Sequence, residues 1–215
     1  MTNRVGGYKQ MSTEPEQRPE ERVHALMDEL QDLLRDKVQD EENKELFDSY
    51  RQLGGVTDEQ LDAFEQELGI RLPSDFRAFY KRKNGSGYGF HIVYPDHEKG
   101  REAIPFYLLS VEKIQKEQAM VVESTLDQYY TADEISNLDS RIKPYLFQRS
   151  WITFGMLGGG SVCLMLDFDP TTQGTYGQII MYEHDPDFIY YVAETFTELL
   201  EQSNRNLSTI EALEY

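Results

Sequence analysis

The period of the hydrophobic pattern first shifts from helical to strand-like near Gly89 of this 215-residue sequence, and that shift limits the fold more than any other feature. From Glu21 to Asn84 apolar side chains recur at three- and four-residue steps, the stripe of helices that bury one face. Val23, Leu26, Met27, Leu30, Leu33, Leu34 and Val38 make the first stripe, and Leu46, Phe47 and Tyr50 continue it to the Gly54-Gly55 pair. Beyond Gly89 the period moves toward two, through Phe90, Ile92 and Tyr94 and then Ile104, Phe106 and Leu108, as in half-buried strands. Helices first and strands later predict an α+β fold with a mostly antiparallel central sheet, helices flanking it and an extra helix at the N-terminal end.

Local signals place the elements. Thr57 with Gln60 three residues on is a capping box, Leu61, Phe64 and Leu68 follow at helical spacing, and Gly69 is a C-cap. Ser74 is read as the cap of the next helix, carried by Phe76, Phe79 and Tyr80 and stopped at Asn84-Gly85. A further helix is expected over 111–125, whereas residues 127–145 carry no clear period and read as a helical insertion or lid. In the last third Trp151 to Phe154, Ser161 to Phe168 and Gln178 to His184 read as strands, the latter two joined by a polar turn with Pro170 and Gly174. Phe188, Tyr191, Val192, Phe196, Leu199 and Leu200 predict a final helix, and residues after about Gln202 a short tail or one last helical turn. The expected division is a flexible tail over 1–19, a helical extension over 20–50, one α+β domain over 51–202 and a C-terminal tail over 203–215.

Charge bears on partners. The chain has 39 acids and 21 bases, a formal net charge of -18, which disfavours phosphate backbones and anionic lipid and favours a basic protein. The acids concentrate in Glu21 to Glu67, and the stretch from Ser150 to Asn204 has no Lys or Arg. Cys163 stands alone inside the apolar run Val162 to Leu166, which excludes an intrachain disulfide and fits a reduced, cytoplasmic setting. No run approaches the roughly 18 apolar residues of a membrane span, and the N-terminus has no apolar core of signal-peptide length.

The constellations that could carry chemistry all have a plainer reading. Gly155, Gly158, Gly159 and Gly160 precede a strand instead of opening a helix, so they are read as a tight turn and not a phosphate loop. Asp167 and Asp169 at one strand end, with Glu183, His184 and Asp185 ending its partner, could gather a metal or an acid/base pair, yet Asp and Glu also suit hairpin turns. No catalytic residue, metal or cofactor is therefore expected.

Gly54 to Gly85, reading GGVTDEQLDAFEQELGIRLPSDFRAFYKRKNG, resembles the opening of the SUKH superfamily, in the clade of the fungal cell-wall assembly regulators. Trp151, Phe154-Gly155, Gly160 to Asp167, Gly177-Gln178-Ile179 and Phe196 with Leu199 and Leu200 are similar to its second half. The resemblance implies a non-catalytic binding module. In bacteria that means an immunity protein that holds a cognate toxin, often a nuclease, and in fungi a regulatory interaction protein. It supplies no catalytic residues. Because tyrosine offers rigid amphipathic area at interfaces, the candidate partner-binding residues are Tyr88, His91, Asp127, Tyr129, Tyr130, Asp167, Asp169, Tyr176, Glu183 and Asp185. The expected partner is a basic toxin domain, with an adaptor of endogenous proteins as the alternative, and the expected state a monomer or weak dimer.

Overall fold

The computed structural model describes residues 18–97 and 103–213, so residues 1–17 of the expected tail lie outside the described residues. Four helices come first: α1 (Pro19–Lys37), α2 (Glu41–Gln52), α3 (Asp58–Leu68) and α4 (Ser74–Arg82). Strand β1 (Tyr107–Leu108), helix α5 (Val111–Ala119), strand β2 (Ser124–Thr125) and the short helix α6 (Ala132–Ile135) follow. The chain then runs through β3 (Tyr145–Phe147), β4 (Trp151–Leu157), β5 (Val162–Asp167), β6 (Gln178–Glu183), β7 (Phe188–Ala193) and helix α7 (Phe196–Thr209). The main sheet is antiparallel in the order β1-β4-β5-β6-β7, and β2 pairs with β3 apart from it. The α+β architecture read from the period change is the one observed.

Both faces of this sheet are buried. On one, Ile152, Phe154, Leu164, Leu166, Ile179 and Met181 join the helical core, where Phe76 of α4 and Phe196 of α7 meet Phe154 edge-on at centroid distances of 5.5 and 5.8 Å. On the other, Trp151, Cys163, Met165, Ile180 and Tyr182 are covered by Leu126, Ile142 and Leu146. Ile142 lies within the stretch whose period could not be assigned and Leu126 and Leu146 border it, so that stretch with its two borders forms the second cover of the sheet. An alternating strand would have put polar residues there, so the continuous apolar runs of β5 and β6 are what two-sided burial requires. α1 is no appendage either, because Val23, Leu30 and Leu34 are fully buried in the helical core.

Several local readings are corrected. Ser74 is the first residue of α4, with Pro73 in the cap position and no side-chain bond, while Asp75 instead accepts the Thr197 amide at 2.8 Å and ties α4 to α7. The Phe90 to Tyr94 strand is reduced to one bridge, Val93 to Phe106, because α7 takes the next backbone groups: Ser203 donates to Ile92 and accepts from the Tyr94 amide. α5 ends at Ala119, since Ser124 and Thr125 pair with β3. Phe188 to Ala193 is a strand, its aromatic and β-branched run overriding the helical spacing, and the last helix starts after Thr195, whose side chain accepts from the Glu198 amide. That helix continues past Gln202 to Thr209 and buries Ser203, Asn204 and Leu207, where a short tail or one last helical turn was expected.

One buried carboxylate locks strands β4 to β6 together. Asp167 lies between Trp151 and Gln178 in the register and accepts from Trp151 Nε1, Gln178 Nε2 and the Asp169 amide, each at 2.9 Å. Gln178 also donates to the Arg141 carbonyl at 3.1 Å, which fastens the covering segment. Burial raises the Asp167 carboxyl above the ordinary aspartate range, and the three donors pull it back. Asp167→Ala would leave buried donors without an acceptor, so urea unfolding should show a loss of about 3 kcal/mol. A loss below about 0.5 kcal/mol would mean that the network carries no stability.

Candidate interaction surface

The ten sequence-predicted residues fall in three places. Asp167, Asp169 and Tyr176 sit at the β5–β6 turn, where Asp169 pairs with Lys143, and Tyr176 packs on Phe168 and accepts from the Arg71 amide at 3.0 Å. Glu183 and Asp185 lie at the other end of that hairpin, because Asp167 faces Gln178 in the register whereas Glu183 faces Val162. Five residues of extended strand separate the two ends, about 17 Å at 3.4 Å per residue. The structure thus divides the acidic residues that the sequence placed at neighbouring strand ends. Asp167 is wholly buried, so its side chain is held for the fold and not presented to a partner.

At the β6–β7 turn the covering segment meets the hairpin. Tyr130 packs edge-on against Phe188 at 5.5 Å, while Tyr129 is exposed and Asp127 accepts from the Thr125 hydroxyl. Glu183 pairs with His97 at 3.3 Å, and Asp185 occupies the turn with φ 65°. Asp187, not singled out from the sequence, accepts from the Tyr182 hydroxyl and bonds His184 Nδ1, both at 2.6 Å. The bond to Asp187 raises the His184 imidazole above its ordinary value, while the Tyr182 hydroxyl first and His184 second hold the Asp187 carboxyl below the ordinary aspartate range.

Tyr88 and His91 mark the third place. Tyr88 stands between Gly87 and Gly89, whose φ values of 86° and 75° suit glycine, and its ring is 87% exposed. Its base leans on Tyr107 at 5.8 Å, and His91 packs edge-on against the same ring from beneath, buried and lowered in pKa by that burial. Tyr88 borders two clefts. The first, about 450 Å³, is lined by Leu53, Tyr107, Leu108 and Met156, with Lys113 and Glu117 of α5 on its rim. The second, about 570 Å³, is lined by Asp40, Glu42, Asn43 and Leu46 of the start of α2. Sequence reasoning found Tyr88 but neither cleft, because their walls come from segments more than a hundred residues apart. The sequence G-S-G-Y-G was the one local signal, an aromatic side chain held out between glycines.

Other chemistry-bearing groups are accounted for in the fold. Cys163 is buried, its thiol lies 3.3 Å from the Gly160 carbonyl, and burial pushes its pKa up to about 12. Lys83 donates to the carbonyls of Tyr50, Arg51 and Leu53 at 3.0, 2.8 and 2.8 Å, capping the end of α2. Among the described residues no group of three His, Cys, Asp or Glu is placed to hold a metal ion, and no helix is long and apolar enough to cross a membrane.

The His184–Asp187 pair gives a pH readout. A raised imidazole pKa means that the pair's contribution is complete below about pH 6.5 and is lost as pH rises through the folded-state midpoint. NMR titration of His184 should give a midpoint above about 6.5 that falls back toward that value in Asp187→Asn. An unchanged midpoint in the variant would show that the pair is not formed in solution.

Comparisons with known proteins fit this architecture. The model of the SMI1/KNR4 family (SUKH-1) matches residues 55–202, well over half of the chain. The chain is 27% identical over 191 residues to KNR4/SMI1 homolog 2 of Debaryomyces hansenii, a match that takes in 74% of this chain and 32% of that protein. The chain therefore spans about a third of the length of the curated relative it matches. The matched region begins just before α3, so α1 and all of α2 precede it while sharing its core. From the two-segment pattern of the sequence, the sheet between its two covers and the family match, the chain belongs to the SMI1/KNR4 (SUKH-1) family.

Proposed function

We propose that this chain is a non-catalytic protein-binding module that holds a basic partner, and that the partner is a toxin domain which the chain neutralises by direct binding. The observation that carries the reading is how the acids of the first three helices are deployed. Their apolar stripes are spent on the core, so the acids between Glu21 and Glu67 largely face water. The five bases among them are already engaged, Arg22 with Glu201, Arg35 with Asp32, Lys44 with Glu41, Arg51 with Asp48 and Lys37 with the Ser208 and Ile210 carbonyls, and α4 adds only Arg77, Lys81 and Arg82 against Asp58, Asp62 and Asp28. A surplus of negative charge remains on a preformed surface, which speeds and orients the approach of a basic protein and repels nucleic acid. Family membership supports a binding or regulatory module, and a cytoplasmic location belongs to the same proposal.

The fungal relative supports a second reading, an adaptor of endogenous proteins, since in that relative the matched region is part of a longer chain. The two differ in what happens to a cell that produces the partner. Affinity purification of the full chain from its host, with the bound protein identified by mass spectrometry, should yield a basic partner whose affinity falls at least tenfold between 50 and 200 mM salt. Co-production of the chain should restore growth to cells poisoned by that partner. A partner without toxicity would move the assignment to the adaptor, and a salt-insensitive complex with an acidic partner would overturn the electrostatic reading.

A further inference from the structure

The geometry points to the Tyr88 ridge as the docking site, recognising a partner segment that presents an apolar side chain beside a lysine or arginine. This rests on the protein-binding reading above and gives it a location. Three independent features converge on the ridge. The first is exposure: among the described residues Tyr88 is the most exposed of the large apolar side chains, at 87%, and a ring of that size in water is a cost unless something covers it. The second is construction. Gly87 and Gly89 hold positive φ on either side, and the base of the ridge is fixed by Ser86, whose hydroxyl donates to the Phe90 carbonyl at 2.7 Å and accepts from the Leu108 amide at 2.8 Å. The tyrosine is therefore displayed on an ordered turn and loses little conformational freedom on binding.

The third feature is the difference between the two clefts that the ridge divides. On one side Leu53, Tyr107, Leu108 and Met156 form a depression of about 450 Å³, enough for one large apolar side chain. Its charged rim groups, Lys113 and Glu117, are one helical turn apart and of opposite sign, so that side contributes little net charge. On the other side the walls are Asp40 and Glu42, both in the first turn of α2 or capping it, with Asn43 and Leu46 beneath. Asp40 is occupied as the cap, accepting from the Asn43 amide and side chain at 2.8 and 2.7 Å, and those bonds hold its carboxyl below the ordinary range and thus ionised. Glu42 is exposed and points its charge into the same cleft. An apolar side chain in the first cleft and a cation in the second, straddling Tyr88, satisfy both without burying an unpaired charge. A second copy of this chain fits less well, because two molecules of net charge -18 would have to be brought together there.

The test is selection of a displayed random 12-residue peptide library on the full-length protein, followed by fluorescence anisotropy with the recovered peptides. Expected are peptides with an aromatic, Leu or Met residue within three positions of Lys or Arg, whose affinity drops tenfold or more in Tyr88→Ala and about threefold in Glu42→Gln. Both side chains are exposed and neither serves as a cap, so circular dichroism and the unfolding midpoint should match the parent. Tyr129→Ala and Tyr176→Ala should leave binding unchanged. Peptides whose affinity is untouched by Tyr88→Ala but lost in Tyr129→Ala or Tyr176→Ala would overturn the location and leave the protein-binding reading standing. If no peptide is recovered, the location falls, while purification of a partner from the host decides the broader reading separately.

Discussion

Two-sided burial of the central strands is the constraint on which the rest of the structure depends. β5 and β6 carry apolar side chains on both faces, Leu164, Leu166, Ile179 and Met181 toward the helices and Cys163, Met165, Ile180 and Tyr182 away from them. Such a sheet needs a cover on each side, or several hundred Å² of apolar surface would face water at roughly 25 cal/mol per Å². The helical layer supplies one cover. The segment from the end of β2 through β3 supplies the other through Leu126, Ile142 and Leu146, and the Asp167 network fixes it by way of Gln178 and the Arg141 carbonyl.

From this follows the division between fold and surface. Asp167, the carboxylate most suggestive of chemistry in the sequence, is bound into the sheet, while the acids of α1 to α3 other than the buried Glu65 are left to solvent because the apolar faces are needed inside. Helix α1 illustrates the coupling. It lies outside the family-matched region, yet Arg22 reaches Glu201, Arg82 reaches Asp28, and Asn204 of α7 donates to the Leu26 carbonyl at 3.0 Å. What the described residues expose is therefore a preformed, acidic body on which Tyr88 is the most exposed ring.

Much of the fold was legible in the sequence, because local chemistry and global packing agreed. The Thr57–Gln60 capping box and the Gly69 C-cap are observed as read, and the change of period marks the passage from helices to sheet. The failures have a common cause, which is that tertiary partners decided. Phe188 to Val192 satisfies a helical spacing, but β6 offers a ladder, so it is a strand; Ile92 and Tyr94 alternate like a strand, but Ser203 of α7 claims their backbone. The covering segment had no period to read because it is irregular and held by scattered anchors. The candidate surface was less legible still: Tyr88 was named as one of many tyrosines suited to an interface, whereas His91 proved buried and the clefts exist only once residues 40–53, 84–89, 107–117, 156–159 and 213 come together.

Hydrogen exchange of the isolated chain, resolved by peptide and followed by mass spectrometry, addresses the central claim that both covers and the sheet form one unit. Amides of β5 and β6 should exchange only through global unfolding, with α1 and the paired backbone of β2 and β3 protected to the same free energy within about 1 kcal/mol. If β2, β3 and the segment between them exchanged orders of magnitude faster while β5 and β6 stayed protected, the second face would not need its cover and the account would fail.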